Sequence, residues 1–324
     1  MKKIFLSVII IAKNEEERIG KCLDSVMKLK KKYSTEIIFV DSASTDRTIE
    51  IASKYPIQIY QLNKSKLLNP SAGRYIGTSK AKGRYILFID GDSILIKNFV
   101  DRALEILKDP KIAAVGGKRI FRKKGESLKI KEKSTGEIKE YKTIGGTGVY
   151  KRESIEKGGT FNPYMGGQEE RELCFRIRNL GYKIVKIDIP MEIHINKEMD
   201  IEEASEKAGY FIGVGQIIRN YGFKSITREL IKAQYKALIE TAAVISSIIW
   251  IILTVFFHSI IFIIGGVLIV LALLALSIYK GPLKVYVQLM ARIKLFFSII
   301  KGFVKDIDKA RSFDKKVKVT TIKK

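Results

Sequence analysis

Residues 81–92, AKGRYILFIDGD, join an unbroken apolar run to two aspartates, and this junction decides the fold. Residues 85–89 are typical of a short strand buried on both faces of a parallel sheet. Asp90 and Asp92 follow directly, and side chains at i and i+2 of an extended segment point the same way. The alternative is a solvated turn that happens to carry two acids. The strand context favours a paired carboxylate site for Mg²⁺ or Mn²⁺, which prefer oxygen ligands.

The residues before this junction alternate between apolar runs and amphipathic stretches. The predicted strands are 6–11, 36–40, 57–61 and 85–89, and the predicted helices are 15–29, 48–54 and 71–80. Repeated βα units predict an α/β fold with a mostly parallel, Rossmann-like sheet and flanking helices. Ligands of such sheets bind beyond the carboxyl ends of the strands. The polar segments 13–15, 41–46 and 90–92 are therefore expected to converge on one site.

The chain has 324 residues and a formal net charge of +25, which suits nucleic acid, an anionic membrane surface or an anionic substrate. No aromatic-interleaved basic patch or recognition helix stands out, so we expect no nucleic-acid partner. Cys22 and Cys174 lack metal-ligand spacing. They are interpreted as buried side chains in a reducing compartment.

The C-terminal third is organised by two long apolar runs, residues 239–257 and 260–279, each able to span a bilayer of about 30 Å. Basic segments flank both runs, which predicts a membrane hairpin with the folded domain and both termini in the cytoplasm. Residues 282–304 resemble a helix lying in the membrane interface. The expected organisation begins with a catalytic domain at 1–200 and basic amphipathic helices at 201–238. A transmembrane hairpin follows at 239–279, and then an amphipathic helix with a basic tail at 280–324.

Two further segments have more than one interpretation. Residues 118–142 are strongly basic with glycine turn signals, and are either a solvated hairpin or insertion, or a flap that binds an acceptor. Residues 145–148, GGTG, are rich in glycine but lack a following GKS or GKT, so they are not a phosphate loop.

Several ordered motifs together resemble family 2 glycosyltransferases with the GT-A fold, over roughly residues 5–195. The motifs are SVIIIAKNEE at 7–16, VDSASTD at 40–46, SAGRYIG at 71–77, AKGRYILFIDGD at 81–92 and GQEERELCFRIR at 167–178. Together they are far more specific than the DxD pair alone.

The resemblance implies a role for individual positions. Asp41 contacts the base of the nucleotide, although Ser42 stands where a second acid is common in the family. Arg74 lies near the diphosphate, where a guanidinium pairs well with phosphate. Glu170 matches the catalytic base, one methylene longer than the commoner aspartate, with Glu169 beside it. The remaining assignments are Ala12, Asn14, Glu15, Asp90 and Gly91 in the nucleotide-sugar pocket, and Asp92, Asp90 and His194 around the metal.

These roles imply an inverting transfer of a sugar from a UDP- or GDP-sugar to a lipid-linked or glycan acceptor at the cytoplasmic membrane face. A polysaccharide synthase is the alternative, but the QxxRW motif of processive enzymes is absent, since residues 216–220 read QIIRN. A nucleotidyltransferase would carry a glycine-rich basic loop after the first strand, where this chain has Ala12 to Glu15. A basic membrane- or nucleic-acid-binding protein without catalysis is the alternative from another class.

Overall fold

A computed structural model describes residues 4–63, 67–123, 125–130, 133–196, 210–257, 260–280, 282–304 and 317–324. The chain divides into two compact units, Met1–Glu198 with Asp308–Lys324, and Met199–Ile307. We call them the first unit and the second unit.

The first unit is a mixed sheet flanked by helices on both faces. Its strands are β1 Leu6–Ala12, β2 Thr35–Asp41, β3 Gln58–Leu62, β4 Tyr85–Asp90, β5 Ser93–Leu95, β6 Ile112–Lys123, β7 Ile138–Glu140, β8 Gly148–Lys151, β9 Lys183–Asn196 and β10 Val319–Lys323. Its helices are α1 Ile19–Met27, α2 Thr48–Ser53, α3 Pro70–Lys80, α4 Lys97–Ile106, α5 Arg152–Lys157 and α6 Glu169–Asn179. The strand order is β10-β3-β2-β1-β4-β8-β6-β9-β5, with β7 beside β9.

Strand β1 lies at the centre of the parallel part and is buried along its whole length. Val8 and Ile10 face one apolar cluster, whereas Ile9 and Ile11 face a second cluster on the other side of the sheet. The continuous apolar run is therefore buried on both faces of the sheet, as its composition predicts. Helix α3 packs closely on this strand, since a Cβ on Gly77 would lie 2.3 Å from Ile9 Cγ2.

The sheet is parallel only in its first half. Strands β1, β2, β3 and β4 pair in parallel, as predicted. Beyond β4, strand β8 is antiparallel to both β4 and β6, while β6 and β9 are parallel to each other. The prediction of a mostly parallel sheet is therefore too simple for residues after Asp92.

The last residues of the chain are a strand and not only a basic tail, which corrects the sequence-based expectation. Strand β10 pairs antiparallel with β3 and covers that edge of the sheet. The Lys323 ammonium donates to the carbonyl oxygens of Ser53 and Tyr55 at 2.9 and 2.7 Å. The chain thus returns to the first unit after passing through the second.

The basic segment 118–142 does not close on itself as a hairpin within the described residues. Strand β6 runs parallel to β9, and β7 pairs antiparallel with another part of β9. Thr135 and Lys118 both bind the carboxylate of Asp188, with Lys118 Nζ at 2.5 Å. The segment is therefore tied to β9 at both of its ends.

The second unit is helical, with α7 Ile212–Tyr221, α8 Ser225–Phe257, α9 Ile260–Lys280 and α10 Pro282–Val304. The break predicted near residue 222 is confirmed, since Gly222 has a φ of 53°. Helix α8 joins the second amphipathic stretch and the first apolar run into one 33-residue helix. Helices α7 and α10 meet backbone to backbone, because a Cβ on Gly215 would lie 2.0 Å from the carbonyl oxygen of Ile299.

One helix of the second unit, over Ser225–Thr254, is long and apolar enough to cross a membrane. A shorter apolar segment follows at Ile263–Leu273, inside α9. By length, the 21 residues of α9 extend about 32 Å, close to the thickness of a bilayer core. The turn predicted at residues 258–259 lies outside the described residues.

Candidate active site

The carboxyl ends of β1, β2 and β4 meet at one edge of the sheet. In the strand registers, Ala12 is opposite Asp41 and Ile11 is opposite Asp90. Parallel neighbours end on the same side, so the polar segments after these strands are brought together as the sequence predicts. The structure thus gives Asp90 and Asp92 the strand-end position on which the site depends.

Arg74 lies at the centre of this edge and joins three carboxylates. Its Nη2 atom is 2.9 Å from Asp90 Oδ1 and 3.2 Å from Glu170 Oε1, and its Nη1 atom is 2.7 Å from Glu169 Oε1. Only 4% of the Arg74 side chain is exposed. This guanidinium therefore connects the end of β4 to the start of α6, which are far apart in the sequence.

The side chains of Glu169 and Glu170 face inward and not into solvent. They open helix α6 after Gln168, whose φ of 62° is in the left-handed region. The side chain of Glu169 is 3% exposed and that of Glu170 is 12% exposed. A favourable helix dipole alone would leave such acids facing water. Their burial against Arg74 instead indicates that the two carboxylates belong to the site.

Burial shifts the ionisation of this cluster. Desolvation raises the pKa of Asp90 to about 6, even though Arg74 lowers it. Desolvation and the neighbouring Glu170 charge raise the pKa of Glu169 to about 8, again against the effect of Arg74. The pKa of Arg74 is raised because its three carboxylates outweigh the cost of burial. Burial therefore favours the protonated form of Asp90 and Glu169, whereas Arg74 favours their ionised form.

Asp92 has a different partner. Its Oδ1 atom lies 3.3 Å from His194 Nδ1, and the ring of Phe121 packs edge-on against the same imidazole. The pKa of Asp92 is raised by burial but lowered further by His194, so the net shift is downward. A carboxylate and an imidazole side by side are both suitable ligands for a divalent ion.

The described residues contain no group of three or more His, Cys, Asp or Glu side chains arranged to hold a metal ion. Mg²⁺ and its relatives are usually bound by one or two carboxylates together with substrate phosphates, so a complete protein cage is not needed. Asp92 and His194 fit such a shared site. Asp90 fits it less directly, because its carboxylate is already paired with Arg74.

The two loops predicted to bind the nucleotide are bound to each other. The Asn14 side-chain oxygen accepts from the backbone N–H of Thr45 at 2.9 Å, and Glu15 N–H donates to Thr48 Oγ1 at 2.8 Å. Asp41 is fully buried and accepts hydrogen bonds from Ser44 and Gln61. The base-contacting role of Asp41 stays a prediction, while the structure shows that it orders its own loop.

Ala12, Gly91 and both cysteines pack beneath the site. A Cβ on Gly91 would lie 2.6 Å from Ala12 Cβ, so the glycine permits β1 to approach the DxD turn. Cys22 and Cys174 are free and buried, as predicted. The proposed contacts of Ala12 and Gly91 with a nucleotide stay predictions.

Sequence reasoning missed a second charged group at this edge. Arg119 on β6 donates from Nε to Glu192 Oε1 at 2.5 Å, and its Nη2 atom lies 3.8 Å from Asp90 Oδ2. Glu192 is fully buried and accepts from Thr147 Oγ1 at 2.5 Å. The feature that brings Arg119 to this edge is the pairing of β6 with β9. A single sequence does not display that pairing.

The family model for glycosyl transferase family 2 matches residues 7–165, which include β1 to β4, the DxD turn, Arg74 and Arg119. Residues 7–165 belong to glycosyl transferase family 2. Glycosyltransferase AglE of Haloferax volcanii is 32% identical over 119 residues, which are 35% of this chain and 38% of that protein. Dolichyl-phosphate beta-glucosyltransferase ALG5A of Trichomonas vaginalis is 32% identical over 100 residues, 28% of this chain and 31% of that protein. The chain therefore matches well under two thirds of either relative.

A solved structure has the same fold. The mannosyltransferase PcManGT from Pyrobaculum calidifontis, solved with GDP-Man and Mn²⁺, has a TM-score of 0.62 at 17% identity. The alignment covers 94% of this chain and 88% of that one. At this identity the likeness establishes the GT-A-like fold.

Gly146 provides a steric test of the contact between Arg74 and Asp90. A Cβ at Gly146 would lie 2.5 Å from Arg74 Nη2 and 2.8 Å from Asp90 Oδ2, whereas a Cβ at Gly145 would meet nothing within 4 Å. Because three carboxylates hold Arg74, moving it aside would break its ion pairs. We expect Gly146→Ala to reduce transfer about tenfold to hundredfold by misplacing these groups. Gly145→Ala is the matched control, and equal transfer rates for the two variants would contradict the geometry.

Proposed function

We propose that this chain is an inverting, metal-dependent glycosyltransferase that moves a sugar from a nucleotide sugar to a membrane-associated acceptor. The observation that supports this most is the position of Arg74 between Asp90 and the pair Glu169–Glu170. The Arg74 guanidinium thus fixes the position of Asp90, near the expected donor, relative to Glu169 and Glu170, near the expected acceptor. Such preorganised geometry is what a direct displacement needs.

Glu170 is proposed as the general base, with Glu169 as its neighbour. The Glu170 side chain is 12% exposed and that of Glu169 is 3% exposed, so an acceptor hydroxyl reaches Glu170 more easily. In the proposed step, Glu170 takes the hydroxyl proton while the oxygen attacks the anomeric carbon and the nucleoside diphosphate departs. A single displacement of this kind inverts the anomeric configuration.

The donor side is assigned to the loops after β1 and β2 and to the DxD turn. PcManGT binds GDP-Man and Mn²⁺, which supports a nucleotide sugar and a divalent ion here. Asp92 and His194 would hold the ion, with Asp90 beside them. A bound Mg²⁺ or Mn²⁺ supplies Lewis-acid stabilisation of the charge that develops on the diphosphate.

The acceptor is proposed to be lipid-linked. The second unit contains a helix able to cross a membrane and a second apolar helix, and ALG5A is by name a dolichyl-phosphate glucosyltransferase. Both ends of the second unit connect to the first unit, because β10 pairs with β3. A segment flanked by parts of one sheet crosses a bilayer an even number of times. This connectivity supports two crossings, by α8 and α9, and the basic flanks favour the cytoplasmic face.

The test is a donor screen with the full chain in detergent and membrane lipid extract as the acceptor source. We expect nucleotide release and a glycosylated lipid, identified by mass, with one UDP- or GDP-sugar and only when Mg²⁺ or Mn²⁺ is present. Asp92→Ala is expected to abolish this activity. Unaltered turnover in Asp92→Ala would remove the metal assignment, and absence of release with every donor would overturn the proposed function.

A further inference from the structure

Arg74 and Arg119 face the same Asp90 carboxylate from its two oxygens, but their surroundings differ. The three carboxylate contacts of Arg74 are 2.7 to 3.2 Å long, and 4% of its side chain is exposed. Arg119 is 30% exposed. An anion arriving from solvent therefore meets Arg119 before Arg74.

Among the described residues, the short side-chain contact of the Arg119 guanidinium is at its Nε edge. Its Nε atom donates to Glu192 Oε1 at 2.5 Å, while Nη2 lies 3.8 Å from Asp90 Oδ2, which is beyond hydrogen-bond distance. A guanidinium carries five N–H donors in a planar fork that matches phosphate oxygens. The Nη edge is thus turned toward the DxD turn without a short contact to it.

Glu192 and Thr147 form the support behind this arginine. Glu192 is directly opposite Arg119 in the register of β6 and β9, and it is fully buried. Its second oxygen accepts from Thr147 Oγ1 at 2.5 Å. A buried carboxylate is costly unless it is paired and hydrogen-bonded. Here the ion pair with Arg119 and the hydrogen bond from Thr147 offset that cost, and the same contacts hold the arginine in place, as a preorganised anion site requires.

We propose that Arg119 is a phosphate-binding residue of the active site, positioned by Glu192 and Thr147. This inference rests on the proposed function, which supplies two sources of phosphate: the diphosphate of the donor and a phosphate on the acceptor. Both offer oxygens that a guanidinium edge binds with charge-assisted hydrogen bonds. Arg74 then orders the acids of the site, and Arg119 contacts the ligand.

The experiment compares wild type with Arg119→Gln, Arg119→Lys and Lys118→Gln, all as full chains in detergent. Lys118 is the neighbour of Arg119 on β6, and its ammonium binds Asp188, so it controls for loss of one charge on the strand. Binding of inorganic pyrophosphate, UMP and GMP, and UDP and GDP is measured by calorimetry. The apparent KM for the lipid acceptor is measured at saturating donor.

A charge-assisted hydrogen bond contributes enough for Arg119→Gln to weaken phosphate binding by about tenfold to hundredfold. Loss of affinity for UDP or GDP, but not for the monophosphates, assigns the donor diphosphate as the source. A raised acceptor KM with unchanged nucleotide binding assigns the acceptor phosphate. Unchanged values in both arms would overturn the proposal, as would an equal loss in Lys118→Gln.

Two further variants separate positioning from folding. Glu192→Gln is expected to reproduce part of the loss, and Arg119→Gln is expected to add little in that background, since both act through one contact. If Arg119→Gln does not fold, Arg119→Lys decides, with an intermediate loss expected because it keeps the charge but not the fork. Wild type that binds pyrophosphate yet transfers no sugar would overturn the proposed function and leave the anion site standing. Wild type that does neither would overturn both.

Discussion

Replacing Glu170 by glutamine is expected to reduce sugar transfer by about 10²–10⁴-fold, the usual contribution of a general base. Glutamine keeps the size of the side chain and an oxygen that can accept from Arg74 Nη2, now 3.2 Å from Glu170. It cannot take the proton of an acceptor hydroxyl. Nucleotide binding and the melting temperature are therefore expected to stay close to wild type while turnover falls. Single-turnover transfer with saturating donor is the measurement.

Glu169→Gln is the matched control because it changes the adjacent carboxylate in the same way. Burial and the charge of Glu170 raise the pKa of Glu169 to about 8. A protonated Glu169 and a glutamine at that position carry the same charge, so Glu169→Gln is expected to keep most of the wild-type turnover at neutral pH. Full turnover in Glu170→Gln together with a dead Glu169→Gln would exchange the two roles.

The convergence of Asp90, Arg74 and Glu170 follows from features that a sequence displays. Apolar runs fixed β1 to β4, and parallel strands must end at the same edge, so the motifs after them meet there. The ordered motifs added Arg74 and the glutamates of α6. The structure adds the contact that joins them, because the Arg74 guanidinium pairs with Asp90, Glu169 and Glu170.

Arg119, Glu192 and strand β10 were missed for a common physical reason. Each depends on a partner strand that is distant in the sequence: β6 pairs with β9, and β10 pairs with β3. The residues of β6 and β10 lie among many lysines, a composition that is equally typical of solvated surface. Non-local pairing has no local signature, so a single sequence favours the solvated interpretation.

Replacing Arg74 by methionine is expected to have the largest effect on stability of any single change at the site. It would leave Asp90, Glu169 and Glu170 without their shared cation, and breaking a buried ion pair from one side costs about 3–5 kcal/mol. Asp90 adds less to this cost than a fully buried carboxylate would, since it is 29% exposed and partly solvated. The thermal midpoint of the full chain in detergent is the measurement, and transfer activity is expected to be lost as well.

Arg84→Met is the matched control, since Arg84 is exposed and stacks on Tyr85 at the start of β4. Surface changes of this kind usually stay within about 0.5 kcal/mol. Equal midpoints for the two variants would contradict the assignment.

The pH dependence of Arg74→Met distinguishes a charge effect from a packing effect. Arg74 lowers the pKa of Asp90 and that of Glu169, so without the guanidinium these two values in the folded state lie further above those of the unfolded chain. The folded state then binds more protons than the unfolded state between those two pKa values, so stability falls as pH rises through that window. The destabilisation relative to wild type should therefore be smaller at about pH 5, close to the pKa of carboxyls in unfolded chains, than at about pH 8. A cavity left by a shorter side chain would cost the same at both pH values, so a constant difference would assign Arg74 a packing role instead.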